Sequence, residues 1–562
     1  MATPLIDQWL PKSIFCLRGY SFRKFTADLI AGITVGLVAL PLAMAFAISS
    51  GVPPQSGLYC AIFAGFLASA LGGSRYQISG PTGAFVVVVA GIVAAHGIDG
   101  LFTCTLIAGL LLILLGVTGL GSAVKFIPRP VVIGFTNGIA VLIASTQIKD
   151  FFGIQVDKVP GEFWPRIETL AEHFGTLSIA STATSLISLA ILIVFMLFIK
   201  RIPGAIVVLI FGTLAAVVFH LPLETIQQRF GGIPGGLPHV EIPVFRPELV
   251  GSVLAPALTI TMLGAIESLL SAVVADRMTK DRHNPNVELV AQGVANVISP
   301  LVGGLPATGA IARTATNIRA GAKTPIAGMI HALTLLVILL VAAPLAGKIP
   351  LCILAAILVM VSYNMGEWRE IPQILKLSKA DIAVWFVTFM LTVFADLTVA
   401  VQAGMILAAL LFIQKVTATT SVAAITPEHL EEIQQHHLSF EEVPEGIAIF
   451  RIHGPFLFGS TDKVNEITDH LDSLPPVVIV RLRHMSAIDA TGIQALEDLA
   501  DQLKQSGRHA LFCGLREQPA QILEQAGFRE HIGAENLCGN VHEALERAWE
   551  ILAVIEGETD ET

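Results

Sequence analysis

Ser79-Gly80-Pro81-Thr82-Gly83-Ala84-Phe85 and Pro306-Ala307-Thr308-Gly309-Ala310-Ile311 are two similar stretches 226 residues apart. Each carries a proline, then Thr-Gly-Ala, then a helix-compatible run. A helix that starts inside a membrane leaves its first N–H groups without partners. Those donors and the positive end of the helix dipole favour an anion. Gly and Ala let a ligand come close to the backbone. Irregular backbone at that depth is tolerated only where it lines a cavity. Taken singly, either stretch reads equally well as a kink in a membrane helix. Taken as a matched pair, they point to the midplane site of a transporter built from repeats.

The surroundings of both stretches are apolar. Of 562 residues, 54% are hydrophobic and 14% charged, against about 25% charged in an average soluble domain. This balance argues against a soluble enzyme, a disordered chain and a basic nucleic-acid binder. A membrane helix needs roughly 20 mostly apolar residues. Clear candidates are 27–48, 57–72, 101–120, 131–147, 183–199, 203–220, 250–275, 325–346, 350–366, 381–398 and 399–416. Shorter or broken candidates are 80–95, 288–303 and 309–320. About 14 spans divide into halves of seven, and a repeat of odd span number is inverted in the membrane. No secretory signal is visible, because residues 1–26 are polar and basic and the first apolar run is too long. Lys and Arg crowd the loops that an inside N-terminus places in the cytoplasm, such as Arg18, Arg23, Lys24, Arg129, Arg277, Lys280 and Arg282. They are sparse on the other side, which predicts cytoplasmic termini and a cell (inner) membrane location.

Ionisable residues inside such spans are candidates for function. Arg313 lies one turn after the second Thr-Gly-Ala. It reads either as a fixed charge beside a bound anion or as an arginine reaching toward headgroups. Glu267 lies well inside 250–275. Burial disfavours its charged form, so it reads as a proton carrier coupled to the anion, with a packing hydrogen bond or an ion pair as alternatives. Asp396 reads as a cap or an interfacial residue. Pro41-Leu42-Ala43-Met44-Ala45-Phe46-Ala47 breaks the first span, either as a proline kink or as the apolar wall of the site with Phe46 over the ligand. The six cysteines are scattered, with no metal spacing. No P-loop or nucleophile–base motif is present, so neither enzyme nor cofactor is expected.

The runs Asp28-Leu29-Ile30-Ala31-Gly32, Pro41 to Ala45, Gly57-Leu58-Tyr59, Ser79-Gly80-Pro81-Thr82, Thr308 to Asn317 and Gly321-Ala322-Lys323-Thr324-Pro325 resemble the sulfate permease (SulP, solute carrier 26) family over nearly the whole chain. The resemblance implies a polytopic α-helical 7+7 inverted-repeat transporter with two half-helices, a core and a gate, followed by a cytoplasmic α/β STAS domain. It implies a homodimer that carries sulfate, bicarbonate, chloride, oxalate or dicarboxylates. By the match, the substrate site falls at Phe46, Thr82, Gly83, Ala84, Ala310, Ile311, Ala312 and Arg313, with Glu267 at the coupling position. Many members have Gln after the first-span proline; here it is Leu42. The Ala-Ile-Ala-Arg and Ile266-Glu267-Ser268-Leu269-Leu270 runs are most similar to the bacterial C4-dicarboxylate branch. These features predict proton-coupled uptake of a small anion by alternating access. The alternatives are sodium coupling, anion exchange, an uncoupled channel, or a membrane-anchored regulator acting through its tail.

The tail is ordinary soluble sequence. After residue 425 come 25 acidic and 9 basic residues, whereas the rest holds 19 and 25. Charge attraction between the acidic tail and basic cytoplasmic loops is expected, weakened by salt. Short apolar runs at 447–453, 477–482 and 509–513 alternate with helical patterns at 461–473, 491–506, 517–526 and 541–555, which predicts an α/β layer. The expected boundaries are an N-terminal segment 1–26, a transmembrane domain 27–420, a linker 421–437, a STAS domain 438–555 and an acidic tail 556–562. In Asp489-Ala490-Thr491-Gly492, Thr491 reads as a phosphoacceptor by resemblance, or Asp489 or Thr491 as a helix cap. A cytoplasmic protein partner of this domain is a further expectation.

Overall fold

The computed structural model describes residues 9–121, 128–156, 159–199, 203–234, 236, 249–395, 397–424, 446–468 and 471–560. Asp396 and residues 425–437 of the expected linker lie outside the described residues. The chain forms two compact units, Met1–Ile406 and Leu407–Thr562.

The first unit is helical. Its helices include α1 (Phe22–Ser49), α2 (Pro54–Leu71), α3 (Gly83–Val117), α4 (Arg129–Phe152), α5 (Ile179–Phe198), α6 (Gly204–Val218), α7 (Val250–Thr279), α8 (Pro285–Ile298), α9 (Ile311–Arg319), α10 (Ile326–Ala346), α11 (Leu351–Met365) and α12 (Lys379–Phe394), and α13 (Leu397–Ala418) begins in this unit and ends in the second. Each predicted span holds a helix among the described residues, and 381–398 is divided between the end of α12 and the start of α13. The segments expected at 80–95 and 101–120 follow one another without a loop, as α3, broken only at Gly97 with φ 70°. Large apolar side chains face outward, among them Phe211, Val341 and Leu345, as a lipid surface requires.

The helices pack in two groups. In one, α3 packs on α7 and α8, α1 on α10, α2 on α8 and α10, and α9 on α1 and α7. In the other, α11 packs on α4 and α5, α12 on α4, and α5 on α6. Each half of the chain contributes its early helices to the first group and its late helices to the second, as a repeat of two halves requires. Small residues permit close packing. At the α3–α8 contact, a Cβ on Gly109 would lie 2.8 Å from the Gly293 carbonyl oxygen, and one on Gly293 2.6 Å from that of Gly109. Two of the quoted runs meet at Asp28. Its carboxylate accepts bonds from the Lys323 and Thr324 amides (2.6 and 3.1 Å), the Thr324 hydroxyl (2.6 Å) and the Tyr20 hydroxyl (3.0 Å).

The second unit holds a five-stranded sheet in the order β3 (Ser421–Ala424), β4 (Ile447–Phe456), β5 (Val477–Ile488), β6 (His509–Cys513), β7 (Leu537–Cys538). β3 is antiparallel to β4 and the remaining pairs are parallel. One face packs Ile452, Val478, Val480 and Phe512 on Leu496, Leu499 and Leu503 of α14 (Ala490–Gln505). The other packs Ile449, Val477, Ile479 and Leu511 on Ala544, Ala548 and Ile551 of α15 (Val541–Asp560). The buried strands are apolar on both faces, as a covered parallel sheet demands.

Four sequence boundaries are corrected. α1 begins at Phe22, inside the expected N-terminal segment, because Ser21 caps it by accepting from the Lys24 amide. Residues 421–424 of the expected linker are strand β3, which takes up the open edge of β4. The helix expected at 461–473 is a chain of short turns, Thr461–Val464, Asn465–Thr468 and Leu471–Ser473. α15 runs on through Asp560, into the expected tail.

Candidate functional site

The two broken stretches meet. β1 (Ser79–Gly80) and β2 (Thr308–Gly309) cross as an antiparallel ladder, Ser79 opposite Gly309 and Gly80 opposite Thr308. Antiparallel strands send the chain away from the crossing in opposite directions, so α3 and α9 both present their N-termini to it. The two motifs enter their helices in different register. α3 starts at Gly83, inside its Thr-Gly-Ala, whereas α9 starts at Ile311, after its own.

Neither helix start has a side-chain cap. Thr82 holds the N-cap position of α3, yet its hydroxyl donates to Glu267 Oε2 at 2.9 Å. Ala310, at the N-cap of α9, has no group to offer. Both starts therefore keep free N–H donors, the arrangement that favours an anion.

Polar side chains from α7, α8 and α9 hold the ladder. The Ser268 hydroxyl lies 2.8 Å from Thr308 Oγ1 and accepts from the Gly309 amide at 3.0 Å. Thr308 Oγ1 donates to the Gly264 carbonyl at 3.0 Å. Thr314 Oγ1 accepts from the Ile78 amide and the Ser271 hydroxyl, both at 3.0 Å. Gln292 Nε2 donates to Ser79 Oγ at 2.6 Å, and the Asn296 amide brackets Ala307 with two 2.8 Å bonds. Glu288, buried, accepts at one oxygen from the Gly73 and Ser74 amides (2.9 and 3.1 Å) and at the other from Gln77 and Gln292 (2.7 and 3.0 Å). The sequence reading does not single out Ser271, Gln77, Glu288, Gln292 or Asn296. The available signal was Glu288, Gln292 and Asn296 at helical spacing, a polar stripe on an apolar span.

Arg313 is buried, 3% exposed, which corrects the headgroup alternative. Its Nη2 donates to the Pro81 carbonyl of the opposite stretch, while Nη1 is buried without a partner. A Cβ on Gly80 would lie 2.8 Å from Nη1, so glycine is what leaves the guanidinium its place. For Glu267, the structure shows a packing hydrogen bond, to Thr82.

Phe46 and Gly83 come together. A Cβ on Gly83 would lie 2.7 Å from Ile143 Cδ1, 3.2 Å from Met365 Sδ and 3.3 Å from Phe46 Cε1. Ile143 and Met365 belong to α4 and α11, so the start of α3 sits where the two helix groups meet. Ala84 and Ala310 are buried, whereas Ile311 and Ala312 are exposed. The Ala310 amide donates to Ile78 at 2.8 Å, which ties the second stretch to the first. Among the described residues, no group of His, Cys, Asp and Glu could hold a metal ion.

In the second unit, Asp489 is the cap. Its Oδ1 accepts from the Gly492 amide at 2.9 Å and its Oδ2 from Phe458 at 3.0 Å. Thr491 is exposed at the second position of α14.

Comparison with known proteins agrees with this architecture. The family model described as Sulfate permease family matches residues 25–388, and the STAS domain model matches 441–544. The candidate sulfate transporter YvdB of Bacillus subtilis is 39% identical over 92% of this chain and 97% of its own. The bicarbonate transporter BicA of Synechocystis is 32% identical over 94% and 95%. The solved structure of the murine solute carrier 26 member A9 anion transporter superposes with a TM-score of 0.87 at 18% identity, over 98% of this chain and 95% of that one.

Proposed function

The chain belongs to the sulfate permease family, and from that membership we propose that it takes up a small oxyanion or carboxylate together with a proton, at the crossing of β1 and β2. As a member of the family it is a multi-pass membrane anion transporter and not an enzyme. The names of its relatives favour sulfate or bicarbonate over the C4-dicarboxylate suggested by the short runs near Glu267 and Arg313.

The observation that carries this reading is the Thr82–Glu267 hydrogen bond. It joins a carboxylate to the uncapped start of α3. With Glu267 ionised, a negative charge stands beside the helix end that is to receive an anion. Protonation removes that charge, so proton and anion bind together more readily than either alone. Arg313 adds a buried cationic donor, and the free N–H groups of both helix starts add the rest. Phe46 supplies an apolar wall, with Thr82, Gly83, Ala84 and Ala310–Ala312 around the ligand. Leu42, which brings no polar group, leaves recognition to the backbone and Arg313.

Alternating access takes place as the group containing α3 and α9 moves against the group containing α4 and α11, with Ile143 and Met365 at the boundary. We place both termini in the cytoplasm and the protein in the inner membrane as a homodimer. The second unit is its site for cytoplasmic partners, and Thr491, exposed, is the phosphoacceptor.

Uptake of labelled sulfate, bicarbonate and succinate into proteoliposomes tests the proposal. A proton gradient is expected to drive accumulation of one of them. Accumulation with a sodium gradient alone would make sodium the coupling ion. Gradient-independent flux, linear in concentration, would make the protein a channel.

A further inference from the structure

We infer that Arg451, His453, Arg481, Arg483 and His484 form a binding site for a multiply charged phosphate group on the sheet of the second unit, apart from the transport site. On the α15 face, β4 and β5 pair Ile447 with Val477 and Ile449 with Ile479. Two residues further along the same face, Arg451 stands directly opposite Arg481. After a register shift that gives β5 one extra residue, His453 stands opposite His484, with ring centroids 5.5 Å apart. Such a bulge re-aims side chains and brings Arg483 beside His484. Arg483 also lies against the end of β6, where a Cβ on Gly514 would be 3.4 Å from its own.

Like charges placed opposite one another destabilise a sheet. Here the groups facing Arg481 are Cys513, Arg483 and Arg451, and those facing His484 are Arg481, His453, Arg451 and Arg483. Among the described residues, neither set contains a carboxylate. Glu543, which faces Cys513, is engaged by the Gly539 amide and Asn540 Nδ2, each at 2.7 Å. The concentration is specific, because the chain after residue 425 has only 9 basic residues against 25 acidic, and three of the nine are in this cluster. Burial and the neighbouring cations push His484 below its ordinary value, and a bound anion reverses that.

Guanidinium forks match the oxygens of phosphate two at a time, and three of them with two imidazoles suit a group of more than one negative charge. The same chemistry is offered by a soluble phosphate compound and by the phosphate of a lipid headgroup.

The test is equilibrium dialysis of labelled pyrophosphate against the full-length protein in detergent, with Arg313→Ala present throughout to remove oxyanion binding at the transport site. Saturable binding that weakens with salt and tightens as pH falls through the histidine range is expected. Arg451→Gln with Arg483→Gln, which spares the buried Arg481, is expected to weaken it tenfold or more. Arg451→Lys with Arg483→Lys keeps the charge but loses the forks, so it should bind more weakly than the parent and more tightly than the glutamine variant, and an unchanged melting temperature in all three shows that binding rather than folding is read. In nanodiscs, affinity unchanged by anionic lipid identifies a soluble phosphate as the ligand. Affinity reduced by anionic lipid identifies the headgroup. Absence of saturable binding, or equal binding by parent and glutamine variant, overturns the proposal.

Discussion

Thr82 at the N-cap of α3 donates its hydroxyl to Glu267 of α7 at 2.9 Å, so the residue placed to cap a half-helix is bonded instead to a carboxylate inside the membrane unit. A cap normally satisfies one of the helix's free N–H groups. Diverting it leaves the helix end without its side-chain cap, and under the proposed function the readiness of that end for an anion depends on the charge of Glu267.

Glu267→Gln keeps the bond to Thr82 but removes the charge. Uptake by this variant is expected to lose the dependence on external pH that the parent shows, because the side chain no longer takes up or releases a proton. The measurement is initial uptake rate in proteoliposomes against pH. A profile parallel to that of the parent removes Glu267 from the coupling step.

Arg313→Ala is expected to abolish measurable uptake, and Arg313→Lys to restore little of it. The guanidinium holds Pro81 with one nitrogen while keeping another free, and a single ammonium does not reproduce that fork. Thermal unfolding in detergent separates loss of the site from loss of the fold. Parent-like uptake by the alanine variant would show that the helix ends alone hold the anion.

Gly80→Ala tests the space beside the guanidinium. Gly80 has φ 153°, and its new Cβ would lie 2.8 Å from Arg313 Nη1. Backbone strain of about 1–3 kcal/mol and displacement of Arg313 are expected together, with uptake falling at least about tenfold for a loss of ~1.4 kcal/mol in binding. A variant with normal KM would mean that Arg313 relaxes into other space.

Glu288→Ala removes the acceptor of four hydrogen bonds in the buried network beneath the crossing. Each donor left unsatisfied costs about 1–3 kcal/mol, so a fall in melting temperature of several degrees is expected. Glu288→Gln, which keeps one acceptor oxygen, should lie between the variant and the parent. Equal melting temperatures for all three would show that water replaces the carboxylate.

Asp489→Ala is expected to destabilise the start of α14 by about 1 kcal/mol, read as faster amide exchange over Ala490–Gln505 in the full chain. Thr491→Ala, at an exposed position, should leave exchange unchanged. Faster exchange in the threonine variant would make Thr491 a structural residue.

Local pattern was sufficient for much of this protein. Apolar runs located the spans, because lipid selects composition residue by residue over one helix length. The Pro and Thr-Gly-Ala stretches located the half-helices, because a helix break in lipid leaves its mark in the residues that make it. Strand and helix periods drew the second unit, and the resemblance named Phe46, Gly83 and Arg313 as candidates. Tertiary structure alone decided what these residues touch. The turn of Arg313 toward Pro81, the capture of Thr82 by Glu267, the support of the ladder by Ser268, Gln292 and Asn296, and the pairing of Arg451 with Arg481 join positions far apart in the chain or on different strands. A periodic signal carries no register between distant segments. That register is set by which arrangement leaves the fewest buried polar groups without partners, and this is known only once the segments are packed.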